Sequence, residues 1–239
     1  MPSEYYPDNS HSDMTVEVSL ARTALKLGLK ALGAKRGQIV LIPDYVCDVI
    51  THPLFELGLK PVPYELGKDL SPRWSQLAKI ETSNVFGIIM VHYFGQPQNI
   101  KRFQDFCRAK RIYLIEDNAH GFGGKYKGQR LGTFGDIGIV SPRKFLKVPL
   151  GGVLYIKNKL ANTDLLGPLD RRPIYHQCFD FIKTAIYHCG PLYRYLAFQK
   201  AKNYDYSNPY AFRERTQKHS KASYMVKFSI QNAKVDDLA

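Results

Sequence analysis

Short runs of consecutive apolar residues punctuate the chain, and between them apolar positions recur every three or four residues. The runs are "IVLIP" (39–43), "VFGIIMV" (85–91), "IYLIED" (112–117), "DIGIVS" (136–141) and "GGVLYIKN" (151–158), with "KPVPYEL" (60–66) a weaker case. Each is too short for a core helix; "IVLIP" is bounded by Pro43 and "IYLIED" ends in acids, and the runs read as strands buried on both faces. A helix is predicted over 18–38, where Leu25, Leu29 and Leu32 share a face with Ala24, Gly28 and Ala31 beside them and Gly33 offers a stop. A second is predicted over 47–59 despite Pro53. A third covers 99–111, with Ile100, Phe103 and Phe106 along one side.

Residues 1–15 read as a loose arm. Beyond about residue 160 the pattern weakens. An aromatic and basic stretch, 175–204, suggests one or two helices, 205–221 an exposed connection, and 222–239 the start of another helix. Doubly buried strands alternating with amphipathic helices predict an α/β fold of three layers: a mostly parallel sheet with helices on both faces. In such folds the ligand lies beyond the carboxyl ends of the strands. That directs attention to Asp44-Tyr45, His92-Tyr93, Glu116-Asp117 with His120, and Ser141 with Lys144.

Composition changes this picture little. At 239 residues, 44% hydrophobic and 23% charged, the chain has the make-up of a globular protein. Its longest apolar runs are far too short to span a bilayer, so no transmembrane segment is expected. The opening "MPSEYYPDNSHSD" lacks an apolar core and does not read as a secretory signal, so the expected location is cytoplasmic. Cys47, Cys107, Cys178 and Cys189 are widely spaced with no C-x-x-C. That fits reduced thiols and argues against a disulfide scaffold or a zinc site.

The net charge is +13, and residues 171–239 hold twelve Lys and Arg against five Asp and Glu. Such a field attracts anions. The basic 171–221 stretch carries no nucleic-acid motif, so nucleic acid is not an expected partner, and a solvated basic face accounts for it equally well.

Three features bear on chemistry. The helix opening at "LARTAL" offers free amides and a positive dipole end, with Arg22 and Thr23 at hand, which together suit a phosphate. Asp117 closes a buried strand, where a carboxylate needs a cation, and His120 follows three residues on. Lys144 leaves a core strand, and a lysine at an apolar pocket can lose its proton and act as a nucleophile. Each alone has a bland explanation: an ordinary helix start, a salt-bridged aspartate, a surface lysine. Together they form the parts list for pyridoxal 5'-phosphate, namely a phosphate cup, an acid for the ring nitrogen and an imine-forming amine.

From Val18 to Asn158 the chain resembles the DegT/DnrJ/EryC1/StrS family of sugar aminotransferases, a fold type I group of pyridoxal phosphate enzymes. The resemblance lies in "ARTALKLGLKAL", "IVLIPDYVCDVI", "VHYFGQPQNI", "IEDNAHGFGGKYKGQRLGTFGDIGIVS" and "SPRKFLKVPLGG", in that order. It implies that Lys144 is the catalytic lysine that holds the cofactor aldehyde. It implies that Asp117 pairs with the pyridine nitrogen and that His120 bonds near the ring hydroxyl. Ser141, Thr23 and the Arg22 backbone would take the phosphate, and Tyr45 or Cys47 would lie against the ring. Lys147 is the runner-up amine. Lys144 argues against the family's dehydratase variant, which has histidine at that place.

The resemblance further implies a homodimer that moves an amino group, with glutamate as donor, to a keto-sugar nucleotide in polysaccharide or secondary-metabolite synthesis. Two departures stand out. Ala21 occupies a place where the family usually has glycine, and the chain is much shorter than family members. The implied organisation is an arm (1–15), a cofactor-binding large domain (16–165) and a basic helical linker region (166–239) leading into a truncated C-terminal domain. The alternative is a truncated, catalytically idle relative that binds cofactor or serves as an assembly partner.

Overall fold

A computed structural model describes residues 13–146, 148, 150–157, 174–189 and 191. The strands are β1 (Asp13–Val18), β2 (Ile39–Pro43), β3 (Lys60–Tyr64), β4 (Val85–Val91), β5 (Tyr113–Asn118), β6 (Lys125–Tyr126), β7 (Gln129–Arg130), β8 (Ile137–Val140) and β9 (Gly152–Lys157). The helices are α1 (Ala21–Ala31), α2 (Thr51–Glu56), α3 (Trp74–Leu77), α4 (Ile100–Lys110) and α5 (Ile174–His188). Seven strands form one sheet in the order β1-β9-β8-β5-β4-β2-β3, while β6 and β7 form a separate hairpin. The five strands from β8 to β3 are parallel, and β9 runs antiparallel to both of its neighbours. This is the α/β architecture that the apolar runs predict.

Alternation along the central strands builds two cores. Val40, Ile42, Ile89, Val91 and Ile115 face α1, whose Ala24, Leu25 and Leu29 are fully buried against them. Leu41, Ile88, Met90 and Leu114 face the other way and meet Ile100, Phe103 and Cys107 of α4. A period of two on a strand buried on both faces produces this division. The prolines Pro61 and Pro63 sit in β3, an edge strand, where a missing N–H does not break a central ladder.

Several expectations are corrected. Residues 13–15 are not loose but belong to β1, whose partner is β9, with Asp13 opposite Lys157. Met14, Val16 and Val18 turn to the α1 core at a strict spacing of two, a signal diluted by the polar residues between them. The helix predicted over 18–38 is shorter, because Val18 completes β1 and α1 stops at Ala31. The helix over 47–59 is a single tight turn, Asp48–Ile50, running into α2. Pro53 lies in the first turn of α2, where no intrahelical N–H bond is lost. The 175–204 stretch contains most of α5. Lys147, residues 1–12 of the expected arm, the 222–239 helix and the basic 171–221 stretch apart from residues 174–189 and 191 lie outside the described residues.

Candidate active site

Parallel register brings the strand exits to one edge. Val91 lies opposite Asp117, Asp117 opposite Ile139, and Asn118 opposite Val140, so β4, β5 and β8 end level. The His92 N–H continues the ladder by donating to the Asp117 carbonyl at 2.9 Å. Beyond β2, the Tyr93 hydroxyl donates to the Tyr45 carbonyl at 2.5 Å, and the two rings stack with centroids 6.0 Å apart. On the other side, Val140 faces Val153 across the antiparallel β8–β9 pair, which sets Ser141 beside the start of β9.

That start also touches α1. The Gly151 N–H donates to the Ser19 carbonyl at 2.8 Å, and a Cβ on Gly152 would stand 2.3 Å from the carbonyl carbon of Leu20. Only glycine admits this approach of helix entrance to strand. The N-terminus of α1 therefore lies at the same sheet edge as Ser141. Its cap residue, Leu20, supplies no side-chain hydrogen bond to the first turn. Thr23 and Ser141 are both buried there, with Arg22 in the same turn.

Charge defines the centre. Asp117 is 8% exposed, and its Oδ1 accepts the Ala119 N–H at 2.9 Å. Burial pushes its carboxyl above the ordinary range, opposed by that N–H and by the charges of Lys144 and His120. Burial holds the Lys144 ammonium below its ordinary value, while Asp117 and Cys47 act to raise it and Arg143 to lower it. His120 is lowered by burial and by Lys144, with Asp117 acting the other way. Its ring lies under that of Phe94, with centroids 6.3 Å apart and planes within 15°. Phe94 is 73% exposed with a φ of +54°, in the left-handed region. The Tyr93 phenol is pushed far up by burial and by the charges of Asp44 and Asp117.

Asp117, His120 and Lys144 thus share one electrostatic cluster. Ser141 and the first turn of α1, with Thr23 and Arg22, lie at the same sheet edge beside it. Tyr45 is 63% exposed on the Tyr93 ring, and Cys47 is the one of that pair whose thiol acts on Lys144. Sequence reasoning gave no role to Phe94 or to the buried contact between His92 and Glu116. His92 and Glu116 stand at strand ends, but their contact crosses from β5 to the β4 exit and leaves no local sequence signal.

The donor set matches a flat heterocycle that carries a basic ring nitrogen, an aldehyde and a phosphate. A buried carboxyl lies within the field of an amine eased toward its neutral form. A stacked imidazole stands beside them, and a helix entrance without a side-chain cap adjoins two buried hydroxyls. These residues fit pyridoxal phosphate.

The model of the DegT/DnrJ/EryC1/StrS aminotransferase family matches residues 8–165. GDP-perosamine synthase of Vibrio cholerae is 30% identical over 152 residues, covering 62% of this chain and 40% of its own. dTDP-4-dehydro-2,3,6-trideoxy-D-glucose 4-aminotransferase of Saccharopolyspora spinosa is 28% identical over 167 residues, covering 69% and 42%. The crystal structure of the aminotransferase TlmJ from Streptoalloteichus hindustanus superposes with a TM-score of 0.55 at 25% identity, over 64% of this chain and 41% of that one. The chain thus spans about two-fifths of the length of the relatives it matches. With two-thirds of its residues inside the family match, and the site carried on the matched strands, the chain belongs to the DegT/DnrJ/EryC1/StrS aminotransferase family.

Proposed function

We propose that the chain is the cofactor-binding part of a pyridoxal phosphate-dependent aminotransferase that moves an amino group from glutamate to a keto-sugar carried on a nucleotide diphosphate. One observation carries this reading. Asp117 and Lys144 leave neighbouring parallel strands at the same edge, each within the other's field, and burial favours the neutral form of both. The two curated relatives, named for GDP- and dTDP-linked sugars, support the choice of acceptor class.

When bound, pyridoxal phosphate supplies an electron-withdrawing ring that stabilises negative charge on the amino-bearing carbon. The chain's own residues do the rest. Asp117 holds a proton at the ring nitrogen. Lys144 Nζ, eased toward the neutral amine by burial, takes a proton from the donor carbon and returns one to the acceptor side. His120, held against Phe94, hydrogen-bonds at the ring hydroxyl. Thr23, Ser141 and the Arg22 N–H receive the phosphate at the α1 entrance, where the helix dipole favours an anion. Tyr45 or Cys47 would lie against the ring on the β2 side. The large domain over 16–165, a homodimer and a cytoplasmic location belong to the same reading.

The test is amino transfer from glutamate to a nucleotide-diphosphate keto-sugar, read as 2-oxoglutarate release, for the wild type and Lys144→Ala. Turnover in the wild type and none in the variant is the expected result. Equal turnover in both overturns the role of Lys144. Cofactor uptake with no turnover in either marks the chain as an idle binder.

A further inference from the structure

Glu116 and His92 have no exposed side-chain surface, and the mechanism above uses neither. Successive residues of β5 point to opposite faces. Leu114 packs in the α4 core and Ile115 in the α1 core, so Glu116 turns toward α4 and Asp117 toward α1. Four donors converge on Glu116. Its Oε1 accepts the Gly132 N–H at 2.5 Å and lies 2.7 Å from His92 Nε2. Its Oε2 accepts the N–H groups of Phe134 at 2.7 Å and Gly135 at 2.9 Å. With only donors around it, the side chain serves as a carboxylate acceptor.

The tautomer of His92 follows from its other nitrogen. Nδ1 accepts the Gln98 N–H at 3.1 Å, so the ring proton sits on Nε2 and is donated to Glu116. The same His92 donates its backbone N–H to the Asp117 carbonyl. One carboxylate therefore ties together the loop after β7, the exit of β4 and, through the imidazole, the turn before α4. Its neighbour in sequence is the carboxyl at the centre of the site. A buried carboxylate costs desolvation that an apolar side chain would not, so stability alone is a poor account of its presence.

We propose that Glu116 and His92 are a positioning pair. A single proton, fixed on His92 Nε2 and donated to Glu116, holds the β4 and β5 exits level and so aims the Asp117 carboxyl at Lys144. The proposal rests on the reading of Asp117 and Lys144 as the working pair of the site. Neither member of the positioning pair belongs to the cofactor-contact set; Glu116 acts through the backbone of β5, and any direct field of His92 on Asp117 is lost alike in every variant that removes the imidazole.

Amide side chains separate the two functions of the imidazole. In His92→Gln the amide nitrogen stands near the place of Nε2, so donation to Glu116 is kept and the acceptor for Gln98 is lost. In His92→Asn the amide oxygen stands near the place of Nδ1, so the acceptor is kept and donation to Glu116 is lost. Glu116→Gln puts an NH₂ group where two N–H donors need an oxygen. The readout is the pH profile of Lys144 acylation by an amine reagent, measured on the full chain without cofactor by mass spectrometry of the Lys144 peptide. Asp117, Cys47, Arg143 and His120 are the titratable or charged groups that interact with Lys144. Asp117→Asn supplies the reference profile for a lysine that has lost its carboxylate, with a lower midpoint, since a neighbouring anion favours the charged amine.

The expected result is that H92N and E116Q move the midpoint toward that of D117N while H92Q stays near the wild type, with circular dichroism unchanged. Should E116Q fail to fold, the comparison of H92N with H92Q decides. Wild-type profiles in folded H92N and E116Q overturn the proposal. Equal shifts in H92N and H92Q, or loss of fold in both, also overturn it, because they mark a space-filling role. A D117N profile identical to the wild type sinks the Asp117–Lys144 reading itself, and the role of the pair with it.

Discussion

Gly152→Ala is a sharp probe of how the fold builds the phosphate end of the site. A Cβ at this position would stand 2.3 Å from the Leu20 carbonyl carbon and 2.5 Å from both the Leu20 oxygen and the Ala21 nitrogen. Ordinary carbon contacts begin at about 3.5 Å, so helix entrance and strand must part by about 1 Å. All three obstacles are backbone atoms, and no rotamer change relieves them. Overpacking of this kind costs about 1–3 kcal/mol. For a chain of this size that lowers the melting temperature by roughly 2–12 °C.

The same shift moves the first turn of α1 away from Ser141. Loss of one charge-assisted hydrogen bond to the phosphate, worth about 1.5–3 kcal/mol, weakens pyridoxal phosphate binding by roughly tenfold to a hundredfold. Calorimetry gives the first number, and titration of cofactor absorbance gives the second. Cofactor binding within about twofold of the wild type in a folded G152A chain would refute the placement of the phosphate at the α1 entrance.

Three further outcomes are expected. The raised folded pKa of Asp117 means that its stabilising contribution is complete below its unfolded value and is lost as pH rises through the folded one, by about 1.4 kcal/mol per pH unit in that window. The stability advantage of the apo wild type over Asp117→Asn should therefore fall as pH rises; an advantage that grows contradicts the burial argument. Phe103, 1% exposed with its ring 4.9 Å from that of Trp74, should cost about 3–5 kcal/mol when replaced by alanine, read by denaturant unfolding. Burial pushes the Cys107 thiol up to about 12, so iodoacetamide at neutral pH should label exposed Cys47 and spare Cys107 until the chain unfolds.

The central strands were legible because β2, β4 and β8 are apolar on both faces, as is most of β9, and β5 opens on an apolar run before its acids. β1 was not legible: Met14, Val16 and Val18 alternate with polar residues, and what makes them a strand is β9, some 140 positions away in sequence. The hydrogen bonds that define β1 are absent from its own neighbourhood. The site divides in the same manner. Asp117, Ser141 and Lys144 could be picked out because they stand at or just beyond the carboxyl ends of strands, and parallel strands deliver such residues to one edge. Gly152 as the seat of the α1 entrance, the stack of Phe94 on His120 and the four donors on Glu116 depend on distances between segments far apart in the chain. The split between Glu116 and Asp117 was present in the strand period, since adjacent residues must face opposite layers. What each layer held was not.

Reduction with borohydride tests the central claim most directly. The purified chain is loaded with pyridoxal phosphate and reduced, which fixes the cofactor covalently to the amine that holds it, and the modified peptide is then mapped by mass spectrometry. The cofactor is expected on Lys144 alone, with none retained by Lys144→Ala. Modification of Lys147, or label spread over surface lysines at a level that Lys144→Ala leaves unchanged, would contradict the assignment.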